Sequence, residues 1–266
     1  MLKDITLGQY YPADSVIHKL DPRTKLFATL MYIISLFTFR NIAGFVIATV
    51  FLVAFIVLSK VPFGFMVKGL KAIVIILLIT AMFNLFLTPG EVLVQFWIFK
   101  ITDAGLVSAV KMAVRLIYLI LGTSVVTLTT TPNSLTDGLE KALGPLNKVK
   151  IPVHEIAMMM SIALRFIPIL VEETDKIMKA QIARGADFES GNLIKKAKSM
   201  VPLLVPLFIS AFRRANDLAM AMEARCYHGG RGRTKMKPLK YKKRDRIVYL
   251  VVVVYFAAMI AARVLL

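Results

Sequence analysis

The sequence predicts an all-α, polytopic integral membrane protein with about five transmembrane helices and a cytoplasmic helical module. Three observations carry this prediction. Of the 266 residues, 58% are hydrophobic and 19% charged, against about 45–50% apolar and 25% charged in a soluble domain; mean hydropathy is +0.71. The apolar residues fall into blocks almost free of charge. The cations, 34 Lys/Arg against 16 Asp/Glu, cluster between those blocks.

A spanning helix needs roughly 17–25 apolar residues. Thr24–Phe39 is the first candidate and the shortest; its one charge, Lys25, lies at an edge where a long stem can snorkel to the headgroups. Ile42–Leu58, Ala72–Gly90 and Leu116–Thr131 follow, each without a charged residue. Ile247–Leu266 is the fifth and carries only Arg263. Met1–Ile17 has no continuous apolar run, so no cleaved signal peptide is expected.

Arg231–Arg246 holds nine Lys/Arg and a single acid, Asp245, directly before the last span. A basic juxtamembrane run marks the cytoplasmic side and favours anionic lipid headgroups. No interleaved aromatic platform accompanies it, so nucleic acid is not expected as a partner. With Pro132–Arg246 inside, the Ser59–Lys71 loop (Lys60, Lys68, Lys71) and the N-terminus are also inside, and the C-terminus is outside. The Glu91–Asp103 connection, with Trp97 as an interfacial anchor, is then outside. Lys111 and Arg115 share a helix face near the outer end of span four, where snorkelling or interhelical pairing is expected.

The cytoplasmic stretch carries helix signals. Thr131-Pro132-Asn133-Ser134 starts a short helix over Leu135–Leu143, which Gly144-Pro145 ends. Pro152 opens a longer helix running to Arg184, with a kink or break expected at Pro168 and a stop at Gly185. Pro202 and Pro206 precede another helix reaching about Tyr227, ended by Gly229-Gly230. Its stripe Val205, Phe208, Phe212, Ala215, Ala219, Met222, Cys226 recurs at 3,4 spacing and reads as one packing face. Met159, Ala163, Phe166 and Leu170 form a similar stripe on the longer helix. Arg213 and Asp217 are placed for an i,i+4 pair.

Several chemistries are absent. No G-x-x-x-x-G-K-[ST] motif occurs, so no ATP site of the P-loop kind is expected. The single cysteine, Cys226, excludes an intramolecular disulfide. His18, His154 and His228 are far apart, and Glu172, Glu173 and Asp175 read as a solvated helical face, so neither a metal site nor a catalytic constellation is expected.

What stands out is a near-repeat. Ala183-Arg184-Gly185 closes one helix and Ala224-Arg225-Cys226 closes the other, 41 positions later. An arginine in a last helical turn complements the helix dipole, and Gly185 permits a left-handed stop. Small neighbours also leave each guanidinium open as a fork of five donors, suited to carboxylates or carbonyls of a partner. His18-Lys19-Leu20-Asp21-Pro22-Arg23-Thr24-Lys25-Leu26 precedes the first span, with Asp-Pro starting its helix and Arg23 and Lys25 at the inner headgroups.

These three segments, in order, together with the run from Ser210 to Tyr227, resemble the EcfT family, the transmembrane coupling subunits of energy-coupling factor (ECF) transporters. The resemblance covers nearly the whole chain. It departs at Cys226, where the family's second motif has glycine, and the helix cap is expected to shift toward Gly229. The resemblance implies that Arg184 and Arg225 dock into two cytosolic ABC-type ATPases, which bind ATP and Mg, while this chain binds no cofactor and is not itself catalytic. It also implies contact between a cytoplasmic coupling-helix module and a small vitamin-binding membrane protein, the S component. Met158, Met159, Met160, Met220 and Met222 offer a repackable surface for it. The expected organisation is a four-span region over residues 1–131, coupling helices and basic linker over 132–246, and a C-terminal span over 247–266, in the cell membrane. A substrate-translocating ABC permease and an insertase-like factor contacting the ribosome are the competing readings.

Overall fold

Asp21 starts the first helix. In the computed structural model, which describes residues 10–39, 41–96, 99–188, 192–230 and 236–265, its carboxylate accepts the backbone N–H of Arg23 at 3.0 Å and so caps α1 (Pro22–Thr38). After α1 come α2 (Ile42–Ser59), α3 (Phe63–Leu87), an antiparallel hairpin of β1 (Val92–Phe96) and β2 (Phe99–Thr102), and α4 (Asp103–Thr129). Then follow α5 (Pro132–Ala142), a 3-10 turn over Gly144–Val149, α6 (Val153–Ala183), α7 (Leu193–Ser199), α8 (Val201–Ala224) and α9 (Lys243–Leu265). Among the described residues the chain is helical apart from that hairpin, and Trp97, expected as an interfacial anchor, lies outside them. Two compact units result, Gly8–Leu139 with Leu239–Leu266, and Glu140–Pro238.

Among the described residues, four helices are long and apolar enough to cross a membrane: α2, α4, α6 and α9. The bent α3, whose arms Phe63–Lys71 and Ile73–Leu87 meet at 61°, makes a fifth if it is one span. This set differs from the sequence expectation in two places. α1, at 17 residues, stops just short, and α6 joins because its first half is almost uncharged while Glu172, Glu173, Asp175, Lys176 and Lys179 fall in its second half. The expected Ser59–Lys71 loop is mostly the first arm of α3. Pro168 does not break α6, which continues through it, and α8 begins at Val201 with Pro202 in its first turn.

The first unit is built around α1 and α4, which run antiparallel. Lys25 near the start of α1 donates to the carbonyl of Thr129, the last residue of α4, at 2.7 Å and to the Thr130 hydroxyl at 3.1 Å. Arg115 on α4 donates to the carbonyl of Phe39, just past the end of α1, at 3.0 Å. Each helix therefore supplies the cation that satisfies the other's C-terminal carbonyl, a group left orphaned by helix geometry. Lys25 is only 3% exposed; it is committed to protein and does not snorkel. Between the two clasps Tyr32 lies against Gly122, where a Cβ would run into the ring, so glycine is what lets the helices approach. Tyr32, Leu36, Leu52, Val125, Tyr255 and Met259 belong to the core that these helices share with α2 and α9.

α9 runs parallel to α1 and is tied to it at both levels. The Asp245 carboxylate, 1% exposed, accepts the N–H of Asp21 at 2.8 Å and, through its other oxygen, the N–H of Lys242 at 2.8 Å. The second bond is the back-bond of a capping box. Deeper in, the Ser35 and Tyr255 hydroxyls are 2.7 Å apart. Arg23 makes a two-pronged pair with Asp21, both contacts 3.0 Å, and lies over the Tyr241 ring at 3.9 Å. Gly138 of α5 rests on Pro22, leaving no room for a Cβ. The His18 ring bridges Ser15 (2.7 Å) and donates from Nε2 to the Tyr11 carbonyl (2.9 Å). Burial pushes the imidazole pKa below its ordinary 6.5, opposed by that carbonyl and reinforced by the Lys25 charge.

Two outcomes follow. Replacing Asp245 with Ala leaves two backbone donors without their acceptor and is expected to cost about 2–3 kcal/mol, read as a lower thermal midpoint in detergent. Because folding lowers the His18 pKa, the unfolded chain takes up its proton first. Stability is therefore expected to decline as pH falls below about 6.5, and His18→Gln should remove that component of a pH–stability profile.

Candidate docking site

Within the second unit, α6 and α8 form an antiparallel pair. Gln181, at the end of α6, donates to the carbonyl of Pro202, at the start of α8, at 3.4 Å. Midway, Arg214 pairs with Glu173 at 3.1 Å. At the far end Ile162, Phe166 and Leu170 face Ala211, Ala215 and Met222 across a narrow cleft. The predicted Arg213–Asp217 pair does not form; the neighbouring Arg214 reaches across to α6.

Both helices end in the same geometry. At the close of α6, Gly185 N–H donates to the Ile182 carbonyl (2.9 Å) and Ala186 N–H to the Gln181 carbonyl (3.0 Å). At the close of α8, Cys226 N–H donates to Glu223 (2.9 Å) and Tyr227 N–H to Met222 (3.0 Å). This is the Schellman arrangement twice over. The capping residues match as well: Arg184 has φ −88°, ψ 6°, and Arg225 has φ −94°, ψ 16°. The residue after each lies in the left-handed region, Gly185 at φ 88° and Cys226 at φ 53°. The cap of α8 therefore does not shift toward Gly229. Cys226 takes the glycine position itself and accepts the backbone strain.

Ala183, Arg184, Gly185, Ala224, Arg225 and Cys226 are all exposed. Among the described residues neither Arg184 nor Arg225 has an ion-pair or hydrogen-bond partner for its guanidinium. Since Arg184 lies beside the start of α8 and Arg225 at its end, about 23 residues on, the two are roughly 35 Å apart at 1.5 Å per residue. One small ligand cannot bridge them.

The apolar stripes divide. In α8 the half with Ala215, Ala219 and Met222 faces α6, whereas Val205, Phe208 and Phe212 point outward, Phe212 being 66% exposed. In α6 the seam runs through Ile162, Phe166 and Leu170; Met159 and Ala163 are exposed. Of the methionines, Met159, Met160 and Met220 are exposed, Met158 is half-buried, and Met222 lies in the cleft. Sequence reasoning missed the anchoring roles of Asp245 and Lys25. The signal for the first was available: it is the lone acid among nine cations.

The profile of the CbiQ family, described as cobalt transport protein, matches residues 13–236, a stretch holding the segment before α1 and both arginine ends. The energy-coupling factor transporter transmembrane protein EcfT of Clostridium kluyveri is 58% identical over 266 residues, covering 99% of this chain and 98% of the relative. The chain belongs to the EcfT family. EcfT of Bacillus subtilis is 47% identical over 264 residues, 99% of this chain and 100% of its own length. EcfT of Lactococcus lactis is 42% identical over 254 residues, 95% and 96% of the two chains. An EcfT-family chain is a transmembrane component of an energy-coupling factor transporter, which agrees with the helices long and apolar enough to cross a membrane.

In this EcfT-family chain Cys226→Gly is expected to raise stability by about 1 kcal/mol, since glycine carries no penalty at positive φ. Gly185→Ala should lower it by a similar amount. Thermal unfolding of both variants in one detergent checks the pair.

Proposed function

We propose that this chain is the non-ATPase coupling subunit of an ECF-type importer. Arg184 and Arg225 dock into two cytosolic ABC-type ATPases, one each, with α6 and α8 lying along the cytoplasmic membrane surface rather than across the bilayer, so that both arginines are on the same side. ATP and Mg are handled by those partners, and their movement passes through α6 and α8 to a small membrane protein that binds the vitamin. The observation that supports the reading is the duplicated helix end: two geometrically equivalent, exposed arginines, without a guanidinium partner among the described residues, at opposite ends of one antiparallel pair. Two like grooves on a pair of like ATPases are the natural complement of such an arrangement, with bidentate bonds from each guanidinium to carboxylates or helix-end carbonyls. Exposed Phe208, Phe212, Met159, Met160 and Met220 then supply an adaptable surface for the S component, with Met158 and Met222 behind it.

Sidedness belongs to the same proposal. The start of α1, the end of α4 and the start of α9 share one face of the first unit, joined by the Lys25–Thr129 and Asp21–Asp245 bonds. The α2–α3 corner joins them through Tyr11, which lies on Phe65 and donates to the Leu128 carbonyl. That face carries exposed Lys19, Lys60, Lys240, Lys242, Lys243 and Arg244, while the other end has exposed Glu91, Asp103 and Arg263. We read the basic face as cytoplasmic by the positive-inside rule, with the N-terminus inside and the C-terminus outside.

Arg184→Ala or Arg225→Ala should each reduce ATP-driven uptake in proteoliposomes at least ten-fold, and the double variant should fail to co-purify two ATPases while still inserting. Normal uptake and normal assembly of the double variant would end the docking proposal. Cys226, exposed and the single cysteine, tests sidedness directly. A membrane-impermeant maleimide should label it in inside-out vesicles and not in intact cells, and bound ATPases should slow the labelling.

A further inference from the structure

The first unit contains an apolar slot of about 300 Å³ that the coupling reading leaves unused. Its walls come from α1, α2, α9 and the turn before α1, with Ile17, Leu20, Tyr32, Phe51 and Val252 among the lining residues and Arg244 at the mouth. From Arg244 to Val252 the slot runs along α9 for eight residues, a depth of about 12 Å.

The polar groups near it are already committed. The Thr29 hydroxyl donates to the Lys25 carbonyl at 2.7 Å, and the Tyr32 hydroxyl to the Tyr118 carbonyl at 3.0 Å. A polar solute placed inside would lose its hydration without finding partners, so the buried part of any occupant is hydrocarbon. The mouth differs. Arg244 is exposed and, among the described residues, has no ion-pair or hydrogen-bond partner. The acid beside it, Asp245, is turned inward onto the Asp21 and Lys242 amides. Its positive charge is therefore left for a ligand, with exposed Lys240 and Lys243 nearby in sequence.

We propose that this slot is a binding site for an anionic phospholipid, one acyl chain lying between α1, α2 and α9 and the phosphate held by Arg244. The site is independent of the ATPase docking proposal and needs neither arginine of that surface.

Native mass spectrometry of the full chain, released from nanodiscs holding equal phosphatidylglycerol and phosphatidylcholine of the same acyl chains, tests it. The unmodified protein should retain phosphatidylglycerol preferentially. Arg244→Gln, at an exposed position, should lower that retention about five-fold, the effect of one cation at an anionic headgroup. Ala54→Trp, which fills the slot, should lower retention of both lipids, while Arg263→Gln at the other end of α9 should leave it unchanged. Equal retention of the two lipids by the unmodified protein, or unaltered phosphatidylglycerol retention in Arg244→Gln, would overturn the site. Retention unaltered in Ala54→Trp, with its thermal midpoint preserved, would overturn the placement of the chain.

Discussion

A helix that stops within or at the edge of a bilayer leaves its last carbonyls without water, and every such group must be satisfied by protein. Lys25 and Arg115 solve this for each other's helices. The Lys25 ammonium sits on the end of α4 and the Arg115 guanidinium on the end of α1. The two clasps fix the register of the antiparallel pair, and Tyr32 packed on Gly122 fixes its separation. Once α1 and α4 are set, Asp245 brings α9 to the same level by bonding the first amide before α1. Two cations and one acid thus set where three helices begin and end.

The short polar segment before α1 therefore does more than deliver the chain to the membrane. Asp21 caps its own helix, holds Arg23 and offers its amide to Asp245; Pro22 receives Gly138 of α5; Arg23 lies over Tyr241. Each contact is modest alone. Together they join the N-terminal and C-terminal parts of a chain more than 200 residues apart in sequence, which is what makes that unit discontinuous along the chain.

Much of this was legible in the sequence, and the exceptions have physical causes. The apolar blocks α2, α4 and α9 declare themselves by composition, since hydrophobic run length is a direct consequence of bilayer thickness. The ends of α6 and α8 are visible because Arg184-Gly185 and Arg225-Cys226 are local signals. Lys25 was misread because its snorkelling geometry and its cross-helix clasp look the same in one dimension; only the partner, 104 residues away, separates them. The Phe208 and Phe212 half of the α8 stripe keeps helical period whether it faces protein or lies open, so periodicity identified an apolar face without identifying what covers it. Cys226 shows the reverse: the local rule favoured a displaced stop, but the backbone bonds of the motif held the cap in place and imposed a positive φ on a residue with a Cβ.

The antiparallel course of α6 and α8 has a mechanical corollary. An α-helix scarcely lengthens under load, so a force that changes the spacing of two anchors, one at each end of such a pair, cannot be absorbed by stretch. It has to be expressed as shear or rotation between the two rods. The Glu173–Arg214 pair, 3.1 Å long and near the middle of α8, crosses between the two helices and is a contact that any such sliding has to stretch.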